Sequence, residues 1–249
     1  MSLINRAYFK AKRLAALHSY KKTALLSVER PIVSFTFDDF PISALEVGGG
    51  MLEAAGVRGT YYAAFGLADK EWATGKIGSR AFMESCVDRG HELGCHTYSH
   101  LDCARTPVSR LEEDCNTNRN ALDAAYAGTL RHLAFPYGSF DVPSKRWASS
   151  RYESARTVIP GVNRGEIDLS ALRAYSIDRE QAATQHRDVL NSLRGEPGWA
   201  IFYTHDVSEK PTEFGCTVAG FDGLLSECVR FGIQILPVGA VVREFTKKP

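Results

Sequence analysis

Short apolar segments alternate with helical segments along most of this chain, and that alternation limits the fold more than any other feature. Strands are predicted over residues 32–37, 57–65, 92–96, 132–135, 155–159, 174–177, 200–204 and 233–236. Helices are predicted over residues 44–55, 80–88, 108–127, 181–193 and 221–231. Such regular alternation is typical of parallel βαβ units. We therefore expect one α/β domain, with a barrel favoured over an open sheet.

Length and composition agree with one well-packed domain. The chain has 249 residues, of which 44% are hydrophobic and 24% are charged, which excludes a disordered or low-complexity chain. A globule of this size buries roughly 70–75% of the surface of its extended chain, which is enough for a full core. No apolar stretch approaches the ~18 residues that a membrane-spanning helix needs, so an integral membrane protein is not expected.

The first 30 residues differ in charge from the rest. They contain seven basic residues and one acidic residue, whereas residues 31–249 contain 23 basic and 28 acidic residues. Apolar side chains recur at helical spacing through residues 1–28, which predicts a basic amphipathic helix. That helix would dock on the domain or a partner subunit, or lie on an anionic membrane surface. We assign residues 1–30 to a helical extension and residues 31–249 to the main domain, whose acidic charge argues against a nucleic-acid partner.

Cysteine usage and the N-terminal sequence indicate the compartment. The six cysteines form no Cys-x-x-Cys pair, and a chain of this length does not need disulfides, so we expect reduced thiols. Lys10, Lys12 and Arg13 interrupt the apolar region that a secretory signal would require. We therefore expect a cytoplasmic protein, which would be peripheral to the membrane if the basic helix binds lipid.

Polar motifs follow several of the predicted strands. Each motif by itself has an ordinary structural explanation, such as a helix cap, a turn or a packed histidine. However, the carboxyl ends of parallel strands carry the active site in α/β folds, so these motifs are expected to meet. The segments are residues 36–40 (Thr-Phe-Asp-Asp-Phe), 96–100 (His-Thr-Tyr-Ser-His), 135–138 (Phe-Pro-Tyr-Gly) and 203–206 (Tyr-Thr-His-Asp).

The residue types in these motifs suit one kind of chemistry. Two imidazoles and one carboxylate make a three-ligand set that leaves positions open for water and substrate, as in catalytic zinc sites. Such a cation lowers the pKa of a bound water toward ~7 and polarises a carbonyl oxygen. A second carboxylate can take the proton of that water, and a protonated histidine can give a proton to the leaving group. The motifs therefore indicate metal-assisted hydrolysis of an amide or an ester.

The motifs, in this order, resemble those of the polysaccharide deacetylases with a NodB-homology domain, carbohydrate esterase family four. The resemblance covers roughly residues 31–245. It implies that Asp38 is the catalytic base and that Asp39, His96 and His100 hold a divalent metal ion. It also implies that His205 is the general acid. Zinc is the ion most expected, although cobalt and nickel also suit two imidazoles and a carboxylate.

The third family motif, Arg-x-Pro-Tyr-Gly, is only partly present. Pro136, Tyr137 and Gly138 match its last three positions. By resemblance, the backbone amide of Tyr137 helps the metal ion to hold the oxyanion, and Pro136 lies with it beside the substrate.

Other positions depart from the family pattern. Ala134 stands where relatives have the arginine that orients the base, and we expect Arg164 or Arg173 to replace that arginine from another loop. In the degenerate fourth motif, Asp178 is the best candidate for the carboxylate that tunes the histidine acid. Tyr98 lies between the two histidine ligands in the sequence and is a candidate for substrate contact.

The resemblance implies both a fold and an activity. The fold is a single-domain, distorted (β/α) barrel with fewer than eight strands, here with an extra N-terminal helix. The activity is removal of N-acetyl or O-acetyl groups from a carbohydrate substrate, such as an intermediate of surface-polysaccharide or glycan biosynthesis. Two alternatives remain open. The same groups could hydrolyse another C–N amide, such as a formamido group, or the chain could be a carbohydrate-binding relative with impaired catalysis.

Overall fold

The computed structural model describes residues 12, 13, 15–126, 128–177 and 182–247. Its strands are β1 (Thr23–Leu26), β2 (Ile32–Asp38), β3 (Thr60–Ala63), β4 (Glu71–Trp72), β5 (Gly75–Lys76), β6 (Glu92–Cys95), β7 (His132–Ala134), β8 (Ser154–Arg156), β9 (Glu166–Asp168), β10 (Tyr175–Ser176), β11 (Trp199–Thr204), β12 (Val207–Ser208), β13 (Cys216–Thr217), β14 (Gln234–Ile235) and β15 (Thr246–Lys247). Its helices are α1 (Gly50–Ala54), which continues a π-helical turn over Ala44–Gly49, α2 (Arg80–Asp88), α3 (Val108–Asn120), α4 (Val142–Arg151), α5 (Ala182–Gly195), α6 (Val218–Arg230) and α7 (Val238–Phe245). Each predicted strand and helix has a counterpart here, whereas α4, α7 and several short strands were not predicted.

The main sheet is parallel and curls into a distorted barrel. Its strand order is β10-β11-β2-β3-β6-β7-β8, and β14 pairs in addition with the start of β2. Leu172 bridges in parallel to Arg156 of β8, and Tyr175 of β10 pairs with Phe202 of β11. The segment that leads into β10 therefore connects the two ends of the sheet. This confirms the expected α/β fold, a single distorted (β/α) barrel.

Strand β2 is buried on both faces, as is usual for a central parallel strand. On the outer face, the rings of Phe35 and Phe37 contact Phe221 of α6 at centroid distances of 5.2 and 5.8 Å. On the inner face, Ile32 belongs to a second apolar cluster, which includes Trp199 and Ile201 of β11. Because side chains alternate along a strand, Asp38 shares the inner face with Ile32. The last residue of β2 is therefore a carboxylate aimed into the barrel.

The N-terminal helix ends earlier than predicted. Residues 15–19 are helical, and the backbone carbonyl of Ala16 accepts a 2.8 Å hydrogen bond from the buried Nζ of Lys145. Residues 23–26 then form β1, which pairs antiparallel with β9 and β15. The prediction of helix through residue 28 is therefore wrong in its last part, because pairing with two strands distant in sequence overrides the local apolar spacing. The domain division at residue 30 stays a prediction, and residues 1–11 lie outside the described part of the chain.

All six cysteines are buried and none forms a disulfide. The thiol of Cys95 accepts hydrogen bonds from the hydroxyl of Tyr152 at 3.2 Å and from Nδ2 of Asn118 at 3.4 Å. It therefore faces the outer helices, on the opposite side of β6 from His96. Within the described ranges, no helix is both long enough and apolar enough to cross a membrane.

Candidate metal centre

Three predicted metal ligands converge at the carboxyl end of the sheet. Oδ1 of Asp39 lies 3.0 Å from Nε2 of His100 and 3.5 Å from Nε2 of His96. All three residues are buried, and they are the one group of potential metal ligands found in the described residues. The strand ends and the connecting loop thus bring Asp39 together with two histidines that lie 57 and 61 positions further along the sequence.

The arrangement fits a divalent cation. Zinc binds nitrogen and oxygen ligands at about 2.0–2.2 Å, so a nitrogen and an oxygen ligand at a tetrahedral angle lie roughly 3.3–3.5 Å apart. The distances from Oδ1 of Asp39 to Nε2 of the two histidines are close to this range. Although Nε2 of His100 lies 3.0 Å away, the buried Oδ1 of Asp39 receives no hydrogen bond of acceptable geometry in the described structure. A buried carboxylate oxygen without a partner is costly, and a cation between the three side chains would relieve that cost.

Neighbouring groups fix the orientation of two ligands. Nδ1 of His96 lies 2.9 Å from the backbone carbonyl of Ala134 and donates to it, which leaves Nε2 of the neutral ring free to bind a metal ion. Burial lowers the pKa of His96 to about 4, although Asp38 opposes the shift, so this ring is neutral at physiological pH. The hydroxyl of Thr74 donates to Oδ2 of Asp39 at 3.1 Å, so that Oδ1 is the oxygen left to face the histidines.

The electrostatic environment keeps Asp39 ionised. Burial by itself would raise the pKa of Asp39, but the nearby His100, His96 and His205 hold it well below its usual range. The carboxylate form is the one that binds a metal ion.

A helix residue supports the loop between the two histidines. Oδ1 of Asp114, which is buried on α3, accepts hydrogen bonds from the backbone amides of Tyr98 at 2.6 Å and Ser99 at 3.0 Å. The hydroxyl of Thr97 accepts from the amide of Leu101 at 2.9 Å. Both contacts hold the sharp turn that brings the second histidine back toward the first.

Backbone strain is concentrated at this site. Among the described residues, six that are not glycine have positive φ, and five of them lie in the polar motifs: Asp39, Phe40, Thr97, His100 and Tyr137. This left-handed conformation costs roughly 1–2 kcal/mol per residue for side chains with a Cβ atom. The surrounding contacts therefore impose these turns, as is common at functional sites.

Asp38 is paired with an arginine from an unexpected position. Nη2 of Arg156 donates to Oδ1 of Asp38 at 2.6 Å and also donates to Oδ2. The expectation that Arg164 or Arg173 would fill this role is wrong: Arg164 donates to the carbonyls of Ser192 and Glu196, and Arg173 donates to that of Pro160. Arg156 ends β8, where it is the direct register partner of Ala134 on β7. The arginine that contacts Asp38 thus lies one strand away from the motif position, and its side chain is on the inner face of the barrel.

The Arg156 side chain is completely buried between two aromatic rings. Its guanidinium carbon lies 5.3 Å from the ring centroid of Tyr62 and 4.8 Å from that of Tyr203. Burial by itself would raise the pKa of Asp38, but Arg156, His96 and His205 together hold it below its ordinary value. Asp38 is therefore an ionised carboxylate at neutral pH.

His205, which directly follows β11, lines the same cavity. Its Nδ1 lies 3.0 Å from the backbone carbonyl of Phe214, whose ring packs edge-on against the imidazole at 5.7 Å. Nδ1–H therefore donates to that carbonyl, and Nε2 is left for other partners. Asp178, the carboxylate expected to tune this histidine, lies outside the described residues.

Residues 136–138 form the tight turn expected from the third motif. The ring of Tyr137 is 64% exposed and packs edge-on against His100, with a centroid distance of 4.4 Å. Gly138 has a φ of 59°, and a Cβ at this position would lie 2.1 Å from Val158, so only glycine fits. Pro136 is buried beneath the turn.

Tyr98, the candidate for substrate contact, faces away from the cavity at the metal ligands. Tyr98 packs against Gly66 and the outer core, and it is absent from the cavity lining.

The cavity has a volume of about 310 Å³ and is lined by both aspartates, all three candidate histidines and Tyr137. Sequence reasoning missed the hairpin formed by β4 and β5, which contributes Trp72, Ala73 and Thr74 to the wall.

Known proteins place this chain in context. The family model described as polysaccharide deacetylase matches residues 26–152, just over half of the chain. No curated protein sequence matches the chain. Among solved structures, a family 4 carbohydrate esterase from Streptomyces lividans in complex with acetate is 15% identical, with a TM-score of 0.57 over 88% of this chain and 98% of its own.

Two other solved structures have the same fold. A T48 deacetylase with substrate is 19% identical, with a TM-score of 0.58 over 88% of this chain and 94% of its own. A mutant of the CE4 family pseudoenzyme BA3943 from Bacillus anthracis, with restored activity, is 15% identical, with a TM-score of 0.60 over 86% of this chain and 68% of its own. At these identities the likeness concerns the fold, while the family follows from the sequence model and agrees with the motifs. The chain belongs to the polysaccharide deacetylase family, a class of hydrolases, as its motifs had indicated.

Proposed function

We propose that this protein is a metal-dependent hydrolase that removes acetyl groups, N-linked or O-linked, from a saccharide. One observation carries the proposal. The triad Asp39, His96 and His100 shares a single cavity with an arginine-paired Asp38 and with His205. Zinc is the ion we propose, because two imidazoles and one carboxylate suit it, and cobalt or nickel could replace it.

The triad would hold the cation through Nε2 of both histidines and Oδ1 of Asp39. When bound, the cation supplies Lewis acidity, which acidifies water and polarises the acyl carbonyl. Asp38 takes the proton of the attacking water, and its ionised state at neutral pH depends on Arg156. The backbone amide of Tyr137 supports the negative charge that develops on the acyl oxygen.

His205 completes the proton transfers. Its Nδ1–H is held by the carbonyl of Phe214, so a proton on Nε2 faces the cavity and can pass to the leaving amine or alcohol. Each such proton-transfer group typically contributes about 10²–10⁴-fold to the rate. Water thus adds to the acyl carbon, the C–N or C–O bond breaks, and acetate and the deacylated sugar leave.

The geometry also bears on the alternative of a binding relative with impaired catalysis. Beside the degenerate fourth motif, the argument for lost activity is the missing motif arginine at position 134. Arg156 supplies a guanidinium to Asp38 from the next strand, so that argument is weakened. An active enzyme is therefore the better proposal.

We also propose a cytoplasmic location and a glycan-biosynthesis intermediate as the substrate. The six cysteines support the proposed location, since all are buried and free of disulfides. Comparison of acetate release from free oligosaccharides with that from lipid-linked oligosaccharides would test the choice of substrate.

Acetate release tests the proposed activity. Purified protein would be incubated with N-acetylated chito-oligosaccharides, acetylated xylo-oligosaccharides and peptidoglycan fragments, before and after chelation and after zinc is restored. We expect release from at least one substrate, loss on chelation and recovery with zinc. Asp38→Asn should lose at least about 10²-fold in rate, whereas Asp222→Asn, on the exposed face of α6, is the matched control. Release that survives complete metal removal, or full activity in Asp38→Asn, would contradict the proposal.

A further inference from the structure

The hairpin of β4 and β5 builds one wall of the metal cavity. Glu71 pairs with Lys76 and Trp72 pairs with Gly75, and residues 72–74 line the cavity. Gly75 has a φ of 106°, which a side chain with a Cβ atom rarely adopts. This short segment lies between β3 and α2 and matches none of the motifs that indicated the family.

Contacts at the tip of the hairpin and directly after β5 fix its position relative to the metal ligands. Ile77 is fully buried and forms an antiparallel bridge with Pro41, and the amide of Gly78 donates to the carbonyl of Phe40 at 3.2 Å. At the tip, the buried hydroxyl of Thr74 donates to Asp39. The hairpin is therefore a rigid extension of the loop that carries the aspartate ligand.

Trp72 is the largest exposed side chain on this hairpin. It is 39% exposed, and its ring lies 6.1 Å from that of His100 at an interplanar angle of 76°, so the two rings do not stack face to face. In the described structure, five large hydrophobic side chains are exposed, and two of them, Trp72 and Tyr137, flank this cavity. Both contact His100, so the aromatic surface begins next to a proposed metal ligand.

An aromatic surface at this place suits a sugar ring. The faces of a pyranose ring present C–H groups while its hydroxyls project from the edges, so an aromatic side chain can bury apolar area against a face without removing hydroxyls from water. The rigid hairpin means that little conformational entropy is lost when a sugar binds.

We propose that Trp72 is a specificity-determining residue that stacks on a sugar ring of the substrate beside the acylated group. This inference rests on the proposed function and adds how the enzyme selects oligosaccharides over small acetyl compounds. Trp72 contributes to binding, and its effect should appear in KM more than in kcat.

Kinetics on two substrates test the role of Trp72. The variants Trp72→Ala and Trp72→Phe would be compared with wild type on the best oligosaccharide substrate and on 4-nitrophenyl acetate, which carries no sugar. Tyr20→Ala removes an exposed aromatic residue outside the cavity lining and is the control. We expect Trp72→Ala to lose about tenfold more kcat/KM on the oligosaccharide than on the ester, about 1.4 kcal/mol, mainly through KM. Trp72→Phe should recover most of the loss, and Tyr20→Ala should behave as wild type.

The outcomes separate this inference from the proposed function. If wild type is active and Trp72→Ala loses equally on both substrates, or on neither, the stacking role is wrong and the deacetylase proposal stands. If wild type shows no turnover, calorimetric titration of the same oligosaccharides into wild type and Trp72→Ala replaces kinetics. In that case weaker binding by the variant supports the inference, and equal binding or none overturns it.

Discussion

The pairing of Asp38 with Arg156 gives a sharp prediction about both stability and catalysis. Both side chains are buried, and the carboxylate receives two hydrogen bonds from one guanidinium nitrogen. Replacing Arg156 with methionine keeps much of the side-chain volume but leaves the carboxylate without its cation. Breaking a buried ion pair in this way costs about 3–5 kcal/mol. The protein can limit that cost by protonating Asp38, which removes the proposed base.

The pH dependence of activity should change because Arg156 and burial shift the pKa of Asp38 in opposite directions. Arg156 lowers the pKa of Asp38 and burial raises it, so removal of Arg156 leaves burial opposed only by the histidines. The pKa of Asp38 should rise, and the acidic limb of kcat/KM should move to higher pH. At neutral pH we expect Arg156→Met to lose about 10²–10⁴-fold in kcat/KM, the usual contribution of a proton-transfer group.

A second-site variant distinguishes orientation of the base from a purely structural role. Ala134 is the register partner of Arg156 on the adjacent strand, roughly 4.8 Å away and on the same face of the sheet. The double variant Ala134→Arg with Arg156→Ala should recover at least about tenfold of the lost kcat/KM. The acidic limb of its pH profile should also return toward the lower pH of the wild type. Steady-state kinetics from pH 5 to 9 and urea unfolding would measure both effects. An unchanged acidic limb in a folded Arg156→Met would refute the reasoning, even if that variant is less stable.

The remaining predictions concern residues around the site and the other end of the barrel. Thr74→Val should weaken zinc affinity about 10–100-fold by removing the hydrogen bond to Asp39, as measured by competition with a chromogenic chelator, and wild-type affinity would contradict that role. Asp114→Ala should lower the free energy of unfolding by about 1–3 kcal/mol, because the amides of Tyr98 and Ser99 lose their acceptor. Urea unfolding measures this change, and an unchanged midpoint would contradict the supporting role of Asp114. His132 is buried, and burial lowers its pKa although the nearby carboxylate of Glu92 opposes the shift. Below pH ~6.5 the unfolded state therefore binds a proton that the folded state does not, so the free energy of unfolding falls on acidification. Between pH 7 and 5, the free energy of unfolding should therefore fall less in His132→Gln than in wild type, by at most about 1.4 kcal/mol per pH unit. Equal slopes of unfolding free energy against pH in wild type and variant would reject the assignment.

The metal-binding residues could be predicted from the sequence because local structure largely places them. Asp38 and Asp39 end an apolar strand, and the two histidines share one tight turn after another strand. The alternation of strands and helices then brings those strand ends to one side of the barrel. Neither step requires knowledge of the distances between strands.

Arg156 could not be predicted in the same way. The pattern placed a strand over residues 155–159, which puts this residue at the beginning of the strand rather than at its carboxyl end. Its role depends on which strands are neighbours and in what register, and a single sequence does not contain that information. A basic residue in an otherwise apolar barrel strand was the available signal, since buried arginines are almost always paired.

The hairpin and the N-terminal strand were missed for related reasons. Strands β4 and β5 have two residues each, too short for a periodic pattern, and Thr74 gains its role only through contact with Asp39. Residues 23–26 carry a mixed pattern that pairing with β9 and β15 resolves into a strand. Tertiary contacts determined both segments.

The central claim is that one cation is held jointly by Asp39, His96 and His100. A crystal structure of the zinc-loaded protein, with anomalous data collected on both sides of the zinc edge, tests it most directly. We expect a single strong anomalous peak about 2.0–2.2 Å from Oδ1 of Asp39 and from Nε2 of both histidines. A zinc-saturated crystal with no peak among these three side chains, or with the ion bound by other residues, would contradict the account.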